Sequence, residues 1–411
     1  MIQPERIQGR LETLARIVDA QQPPYTRRAF TDTYTEARRW LANEFRAAGL
    51  ETSLDAGANL IGLRRGSSSG AGTIMMGSHI DTVVGGGRFD GAAGVVIGLE
   101  VAEALATQGI ALNHDLEIVD FLSEEPSDYG VSCVGSRAMA GALNQAMLEL
   151  CNAAGESLAS AIERLGGSPR RLVAGPLRTR GELCAFLELH IEQGPVLEST
   201  STDIGVVTGI VGIRRVEIVV KGRADHAGTT PMEKRSDALV VASELVVAVR
   251  ELADRWSKRN GLVATIGKMT VSPNVPNVVP GEVSMVLEMR CTEPADLDAF
   301  MTELEGVAAK LVRQAALSIK PLSAAPPVPC SPEIRKKIWN AVHKLGLLAT
   351  DIPSGAGHDA ASMGLICPTA MVFVPSVGGR SHVPEEFTSI GDLSNGAAVM
   401  LETLLAVDAA L

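Results

Sequence analysis

The chain has 411 residues, long enough for two domains with cores of their own, and 46% of it is apolar while only 3% is aromatic, so that core must be Leu, Val, Ala and Ile. A net charge of −11 with no Lys or Arg run argues against a nucleic-acid partner, whose phosphates such a surface repels. The opening Met1-Ile2-Gln3-Pro4-Glu5-Arg6 has no basic-then-apolar signal, and no apolar stretch approaches the roughly twenty residues of a membrane span, so no membrane partner is expected.

Taken in chain order, residues 34–48 predict a helix with Leu41, Phe45 and Ala48 on one face, and the Arg-Arg-Gly-Ser-rich run at 64–70 reads as a hairpin-like loop. Residues 73–78 form a short apolar run bounded by glycines, the pattern of a buried strand. His79 and Asp81 follow it, two apart, so in extended backbone both project to one side; His79 can ligate a metal while Asp81 orients that ring or an adjacent group. Asp90 lies in the glycine-rich turn 85–91, where its two carboxylate oxygens can bridge two ions.

Residues 92–108 predict a buried helix, and 115–123 predict a strand that ends at Glu124-Glu125. Adjacent residues at a strand end point apart, so one glutamate can ligate a metal while the other serves as general base toward a water. Residues 185–189 are strand-like and deliver His190; residues 369–375 form another apolar strand, followed by Ser381-His382. A donor set of His79, Asp90, one of the paired glutamates, His190 and His382 mixes nitrogen and oxygen without thiolate, which suits Zn, Mn, Co or Ni in a hydrolytic site. Five ligands with one bridging carboxylate imply two divalent metal ions per subunit, about 3.5–4 Å apart.

Strands and helices alternate to about residue 208, the pattern of a mostly parallel α/β sheet with helices on both faces. The pattern then changes: 215–220 alternates, 237–254 is helical, 262–271 and 283–289 are strand-like and 293–314 is a second helix, together a small α+β unit. The Pro-rich run 321–327 reads as a return linker. The expected organisation is a catalytic domain in two parts, 1–208 and 323–411, interrupted by a smaller α+β lid and dimerisation domain at 209–322. His382 then comes from beyond the insertion, so both parts must assemble before the site exists.

At this point the chain resembles the M20 metallohydrolase superfamily, in the branch of L-carbamoylases, allantoate amidohydrolases and ureidoglycolate amidohydrolases, the hydantoinase/carbamoylase family amidases. The resemblance runs over essentially the whole chain. It is carried by Gly-Ser-His-Ile-Asp-Thr at 77–82, Glu-Leu-His-Ile-Glu-Gln-Gly at 188–194, His-Ala-Gly-Thr-Thr-Pro-Met at 226–232, Pro-Ser-Gly-Ala-Gly-His-Asp at 353–359 and Ser-His at 381–382. It implies Glu124 as the base, Glu125 as the ligand and a homodimer in which His226 reaches the partner's active site to stabilise a developing oxyanion. It also implies contacts to a small anionic ureido substrate from Gln193, His226, Arg215, Asn277, Arg290 and Gly355. Arg suits such a carboxylate because its planar fork binds both oxygens. The sequence leaves open whether Arg214 or Arg215 faces the site.

The implied activity is hydrolysis of a ureido C–N bond, first of an N-carbamoyl-L-amino acid, with allantoate or ureidoglycolate close behind. The motifs are mixed: Pro126 after the paired glutamates is similar to ureidoglycolate enzymes, Phe89 to carbamoylases and residues 355–359 to allantoate enzymes. Rival readings are a dipeptidase or aminoacylase of the same superfamily, a thiol amidase using Cys133, and a non-catalytic scaffold. His358-Asp359 is given a supporting role, and His114 and His343 read as surface histidines. Cys133, Cys151, Cys184, Cys291, Cys330 and Cys367 are scattered, which fits reduced thiols in a cytoplasmic protein.

Overall fold

A computed structural model describes residues 1–312 and 315–411, which divide into two compact units, Met1–Thr208 with Cys330–Leu411, and Gly209–Pro329. The strands are β1 (Glu51–Leu54), β2 (Leu60–Arg64), β3 (Thr73–Ser78), β4 (Asp115–Asp120), β5 (Leu183–Ile191), β6 (Ile204–Ile210), β7 (Gly212–Lys221), β8 (Val263–Ser272), β9 (Glu282–Cys291), β10 (Ala316–Ala325), β11 (Val328–Pro329), β12 (Ala349–Ser354) and β13 (Thr369–Val374).

In the first unit the strand order is β1-β2-β4-β3-β5-β13-β6, with β12 also pairing β6. The central run β4-β3-β5-β13 is parallel, and antiparallel pairs flank it. Every residue of β3 and β13 is buried, as expected of parallel strands covered on both faces, and this is why they read as continuous apolar runs. Helices lie on both faces: Leu189 packs against Gly396 of the helix Ile390–Asp408, while its neighbour Glu188 points the other way and accepts the N–H of Ala360 in the helix Asp359–Met363. The helix Ala92–Thr107 is apolar nearly all round and buried along most of its length.

Parallel strands end at one edge of a sheet, so whatever follows their C-termini is collected there. Ser78 of β3 is level with Asp120 of β4, and Phe373 of β13 is level with His190 of β5. This register brings His79, the Glu124-Glu125 loop, His190 and the 376–386 loop to the same edge. The helix Ile390–Asp408 is by length and composition long enough to cross a membrane, although the sequence reading expects no stretch approaching that length. Half of its apolar window is buried within the unit, as a core helix requires.

The second unit is a four-stranded antiparallel sheet, order β10-β7-β9-β8. One face is covered by the helices Ala238–Asn260 and Pro294–Leu311, whose Leu245, Leu252, Phe300 and Leu304 pack on Val216, Ile218, Met285 and Leu287. The second helix, expected to run to 314, ends at Leu311, and Val312 is already extended; residues 313 and 314 lie outside those described. One expectation fails here. The run 321–327 is no simple linker, because β10 continues through Ala325, and the expected return at 322/323 falls inside it. Pro321 and Pro326 hid the strand. Among the described residues β10 pairs only with β7, so it is an edge, where a proline costs no ladder bond, and the register shifts between Pro321 and Ser323.

Candidate metal centre

The loop after β3 is fixed by its backbone. The N–H of Ile80 donates to Asp120 Oδ1 at 2.9 Å, and its carbonyl accepts Arg27 Nε at 2.7 Å. Asp120 is itself held by Arg38 Nε at 2.9 Å. With Ile80 gripped from both sides, His79 and Asp81 are presented from a rigid residue between them. Asp81 accepts the backbone N–H groups of Glu124 and Glu125, each at 3.1 Å, and its Oδ1 lies 3.6 Å from His79 Nδ1. His79 Nδ1 also lies 3.0 Å from the carbonyl of Asp81, which leaves Nε2 facing the cluster. Asp81 therefore acts on the adjacent backbone as well as on the ring.

Asp90 is the meeting point. Its Oδ1 lies 3.3 Å from His190 Nε2 and 3.6 Å from His79 Nε2, and its Oδ2 lies 3.2 Å from His382 Nε2. His382 Nε2 is also 3.2 Å from Glu125 Oε1. Two trios thus share one carboxylate: His79, Asp90 and His190 on one oxygen, and Asp90, Glu125 and His382 on the other, with the donor atoms of each trio within 4.8 Å of one another. Glu124 stands apart from both, its Oε2 3.7 Å from His79 Nε2 and its Oε1 accepting the Cys133 thiol at 3.3 Å. Gly91, beside Asp90, has φ +63 and sits where a Cβ would run into the His79 ring, so only glycine lets the turn approach.

The electrostatics follow from burial. Burial above all pushes the Glu124 carboxyl well above the usual range; His79 pulls it down and Glu125 pushes it further up. Burial also disfavours charge on Asp90, yet His190, His382 and His79 hold it well below the usual carboxylate range. Hydrogen bonds to Asp90 and Glu125 push His382 up to about 11. Burial works against a proton on His79, and Asp81, Glu124 and Asp90 overcome it to raise that imidazole well above its ordinary value. Carboxylates that hold protons this firmly on imidazoles present the same potential to a cation. The donor set, oxygen and imidazole in two trios, fits divalent ions.

Gln193 donates through Nε2 to Asp90 Oδ2 at 2.6 Å, from a backbone at φ +58. His358 is buried, its ring edge-on to His190 at 4.5 Å between centroids and its Nε2 2.8 Å from Ser354 Oγ. Burial first and His190 next hold its imidazole well below the usual value, so it packs as a neutral ring. Gly355 lies in the exposed loop just before it.

The remaining expected substrate residues belong to the second unit. There, register answers which arginine shares the open face. Arg214 pairs with Met289 on the helix-covered face and reaches Asp298, whereas Arg215 pairs with Glu288 on the opposite face. Glu288 bonds Arg215 Nε at 2.6 Å and Arg290 Nε at 2.8 Å, so both guanidiniums are gathered on one carboxylate. His226 is exposed, and its Nδ1 accepts the N–H of Gly228 at 3.0 Å, which leaves Nε2 as the ring's donor. The carbonyl of Asn277 accepts the N–H of Ala227 at 2.9 Å, which places Asn277 beside it.

His114 corrects the sequence reading. It is 5% exposed, not a surface histidine, with Nδ1 2.8 Å from Asp408 Oδ1. Its partner is far along the chain, which local pattern cannot reveal. His343 is exposed as expected. Among the described residues all six cysteines are free. Cys133 is a poor nucleophile candidate: burial, and then Glu124, push its thiol well above the ordinary range, whereas attack needs a thiolate. Ser381 and Glu386 were missed, although both touch the Asp90 turn; the Ser-His pair was the only local signal.

Residues 75–406 match the sequence profile of peptidase family M20/M25/M40. The chain is 39% identical over 409 residues to an N-carbamoyl-L-amino-acid amidohydrolase of Paenarthrobacter aurescens, covering 99% of this chain and 98% of the relative. It is 35% identical over 378 residues to an allantoate amidohydrolase of Escherichia coli K12, covering 91% of each. Among solved structures it resembles a hydantoinase/carbamoylase family amidase of Burkholderia multivorans with a TM-score of 0.89 and 33% identity, covering 99% of this chain and 98% of the other.

Proposed function

The chain belongs to peptidase family M20/M25/M40, and from that premise we propose that it is a metal-dependent amidohydrolase that cleaves the ureido C–N bond of a small N-carbamoyl compound, in the first place an N-carbamoyl-L-amino acid, releasing ammonia, CO2 and the amino acid. The observation that carries the reading is the division of Asp90, whose two oxygens each face a different trio.

His79, Asp90 and His190 would hold one divalent ion, and Asp90, Glu125 and His382 a second. Such ions, when bound, polarise a carbonyl and make a coordinated water acidic near neutral pH. Glu124 lies outside both trios yet its Oε2 faces His79 Nε2, and its buried, proton-attracting carboxylate takes the proton of the attacking water at Oε2 and passes it to the leaving nitrogen. Asp81 fixes the backbone of Glu124 and Glu125, which keeps their side chains to separate tasks. Gln193 orients the shared carboxylate and has a second arm, Oε1, for the ureido group.

The reading extends to the second unit as lid and dimerisation domain of a homodimer. There Arg215 and Arg290, preset by Glu288, clamp the substrate carboxylate, and His226, bridged to Val278, contributes together with the adjoining Asn277. Gly355 supplies backbone to the substrate. A second substrate, allantoate or ureidoglycolate, is favoured by Pro126 and by residues 355–359. The deciding experiment is release of ammonia and amino acid by metal-loaded protein, with and without chelator. The panel is N-carbamoyl-L-amino acids, allantoate, ureidoglycolate, N-acetyl amino acids and dipeptides. Chelator-sensitive ammonia from a ureido compound supports the reading; release only from acyl or peptide substrates overturns it.

A further inference from the structure

Glu386 lies in the loop between His382 and the helix Ile390–Asp408, and it is fully buried, at 0% exposure. A buried carboxyl needs partners, and this one has them on two sides. Its Oε1 accepts the backbone N–H of Phe89 at 2.9 Å and of Asp90 at 3.0 Å. Its Oε2 lies 2.7 Å from Ser381 Oγ, and the same hydroxyl lies 2.8 Å from Asp90 Oδ2. Gly87 wraps directly over the carboxyl; a Cβ there would occupy its place, so the turn closes round Glu386 only because that residue is glycine.

A single side chain therefore joins two loops that are remote in sequence. One carries Asp90, the acid shared by both trios, and the other carries His382, which follows Ser381 directly. Asp90 is oriented at both ends: its backbone by Glu386 Oε1, and its Oδ2 by a hydroxyl that Glu386 Oε2 holds. His382 is otherwise the least enclosed of the donors, with 47% of its side chain exposed. Its reach to Asp90 and Glu125 depends on where this loop is pinned. Ordinary core packing would ask for an apolar residue here; three polar contacts from one carboxyl to the two loops ask for positioning.

We propose that Glu386 is a positioning residue for the metal centre: it sets the separation and orientation of Asp90 and His382, and so determines how tightly the Asp90, Glu125 and His382 trio holds its ion. The proposal rests on the metal-centre reading given above. Groups that orient ligands in this way change metal affinity by about 10- to 100-fold when removed.

The test is titration of metal-stripped full-length protein with Zn2+ and Mn2+ by calorimetry, with thermal unfolding and near-ultraviolet dichroism followed in parallel. Glu386→Gln keeps a carbonyl for the Phe89 and Asp90 N–H groups and an amide to donate to Ser381, so it should bind both ions like the parent chain. Glu386→Ala loses all three contacts and should weaken one of the two ions about 10- to 100-fold while the other stays near parental affinity. Ser381→Ala removes the hydroxyl that links Glu386 Oε2 to Asp90 Oδ2 and leaves the two backbone bonds to Oε1, is the safer variant for folding, and should weaken the same ion. Parental affinity for both ions in Ser381→Ala, or in a folded Glu386→Ala whose melting temperature alone has dropped, overturns the proposal in favour of a merely structural role. Failure of the parent chain itself to take up divalent ions is a separate result, and it would bring down the metal-centre reading first.

Discussion

The thiol of Cys133 donates to Oε1 of Glu124 across 3.3 Å, while the backbone N–H of the same cysteine donates to the Glu124 carbonyl at 2.8 Å. Cys133 holds this position with φ +53, an uncommon left-handed conformation for a non-glycine residue, at the start of the helix Val134–Ala140. One oxygen of the base is thereby occupied and the other is turned toward His79. Replacing the thiol by a hydroxyl keeps a donor; replacing it by a methyl does not. Cys133→Ser should retain most of kcat, and Cys133→Ala should lower kcat about 3- to 10-fold with KM little changed, since a thiol is a weak donor. Steady-state kinetics on the two variants decide this, and equal kcat in both would remove Cys133 from the account.

Glu124 and Glu125 are neighbours in sequence but not in environment. Glu125 meets His382, and Glu124 meets His79 and Cys133. Glu124→Gln should bind divalent ions with parental stoichiometry and lose about 10²- to 10⁴-fold in kcat, the usual contribution of a general base. Ion content by elemental analysis, measured on the same preparation as the kinetics, separates the two effects. Parental turnover in this variant would show that the proton goes elsewhere.

The shared acid predicts an unequal pair of losses. His382→Ala removes a donor from one trio only, so it should lose one ion and keep the other. Asp90→Ala removes the donor common to both trios and should lose both. Calorimetric stoichiometry reads this directly. Two ions retained by Asp90→Ala would mean that the trios do not share a ligand.

Most of the centre was legible because its residues sit at strand ends, and strand ends are marked by local pattern: an apolar run at 73–78, then His79 and Asp81; another at 369–375, then Ser381-His382. Parallel pairing does the rest by bringing those ends together. What local pattern cannot show is any residue whose meaning lies in a distant partner. Glu386 reads as one more loop acid until Phe89 and Asp90 are placed against it, and His114 reads as exposed until Asp408 arrives from the last helix. Arg214 and Arg215 are equivalent as neighbours and are told apart only by the β7–β9 register. β10 was lost for the opposite reason: Pro321 is a strong local signal for a linker, and an edge strand tolerates it.

Asp408 gives a stability prediction with a definite sign. Near the end of the C-terminal helix it accepts the backbone N–H of Asn113 at 3.0 Å and of His114 at 2.9 Å, as well as the His114 ring at 2.8 Å. Burial alone would raise its carboxyl, but these bonds outweigh burial and hold it below the usual range. A carboxyl depressed in the folded state binds its proton more weakly there than in the unfolded chain. Its contribution is therefore complete above the ordinary carboxylate value of about 4 and is lost as pH falls through the lower folded value. Asp408→Asn keeps one acceptor and cannot ionise. It should cost about 1.5–3 kcal/mol at neutral pH, the range for losing hydrogen bonds to a charged group. The cost should shrink as pH drops below about 4, where the parent chain loses the same charge. Denaturant unfolding of both proteins from acid to neutral pH measures the difference, and a gap that stays constant across that range would show that Asp408 holds the helix by shape rather than by charge.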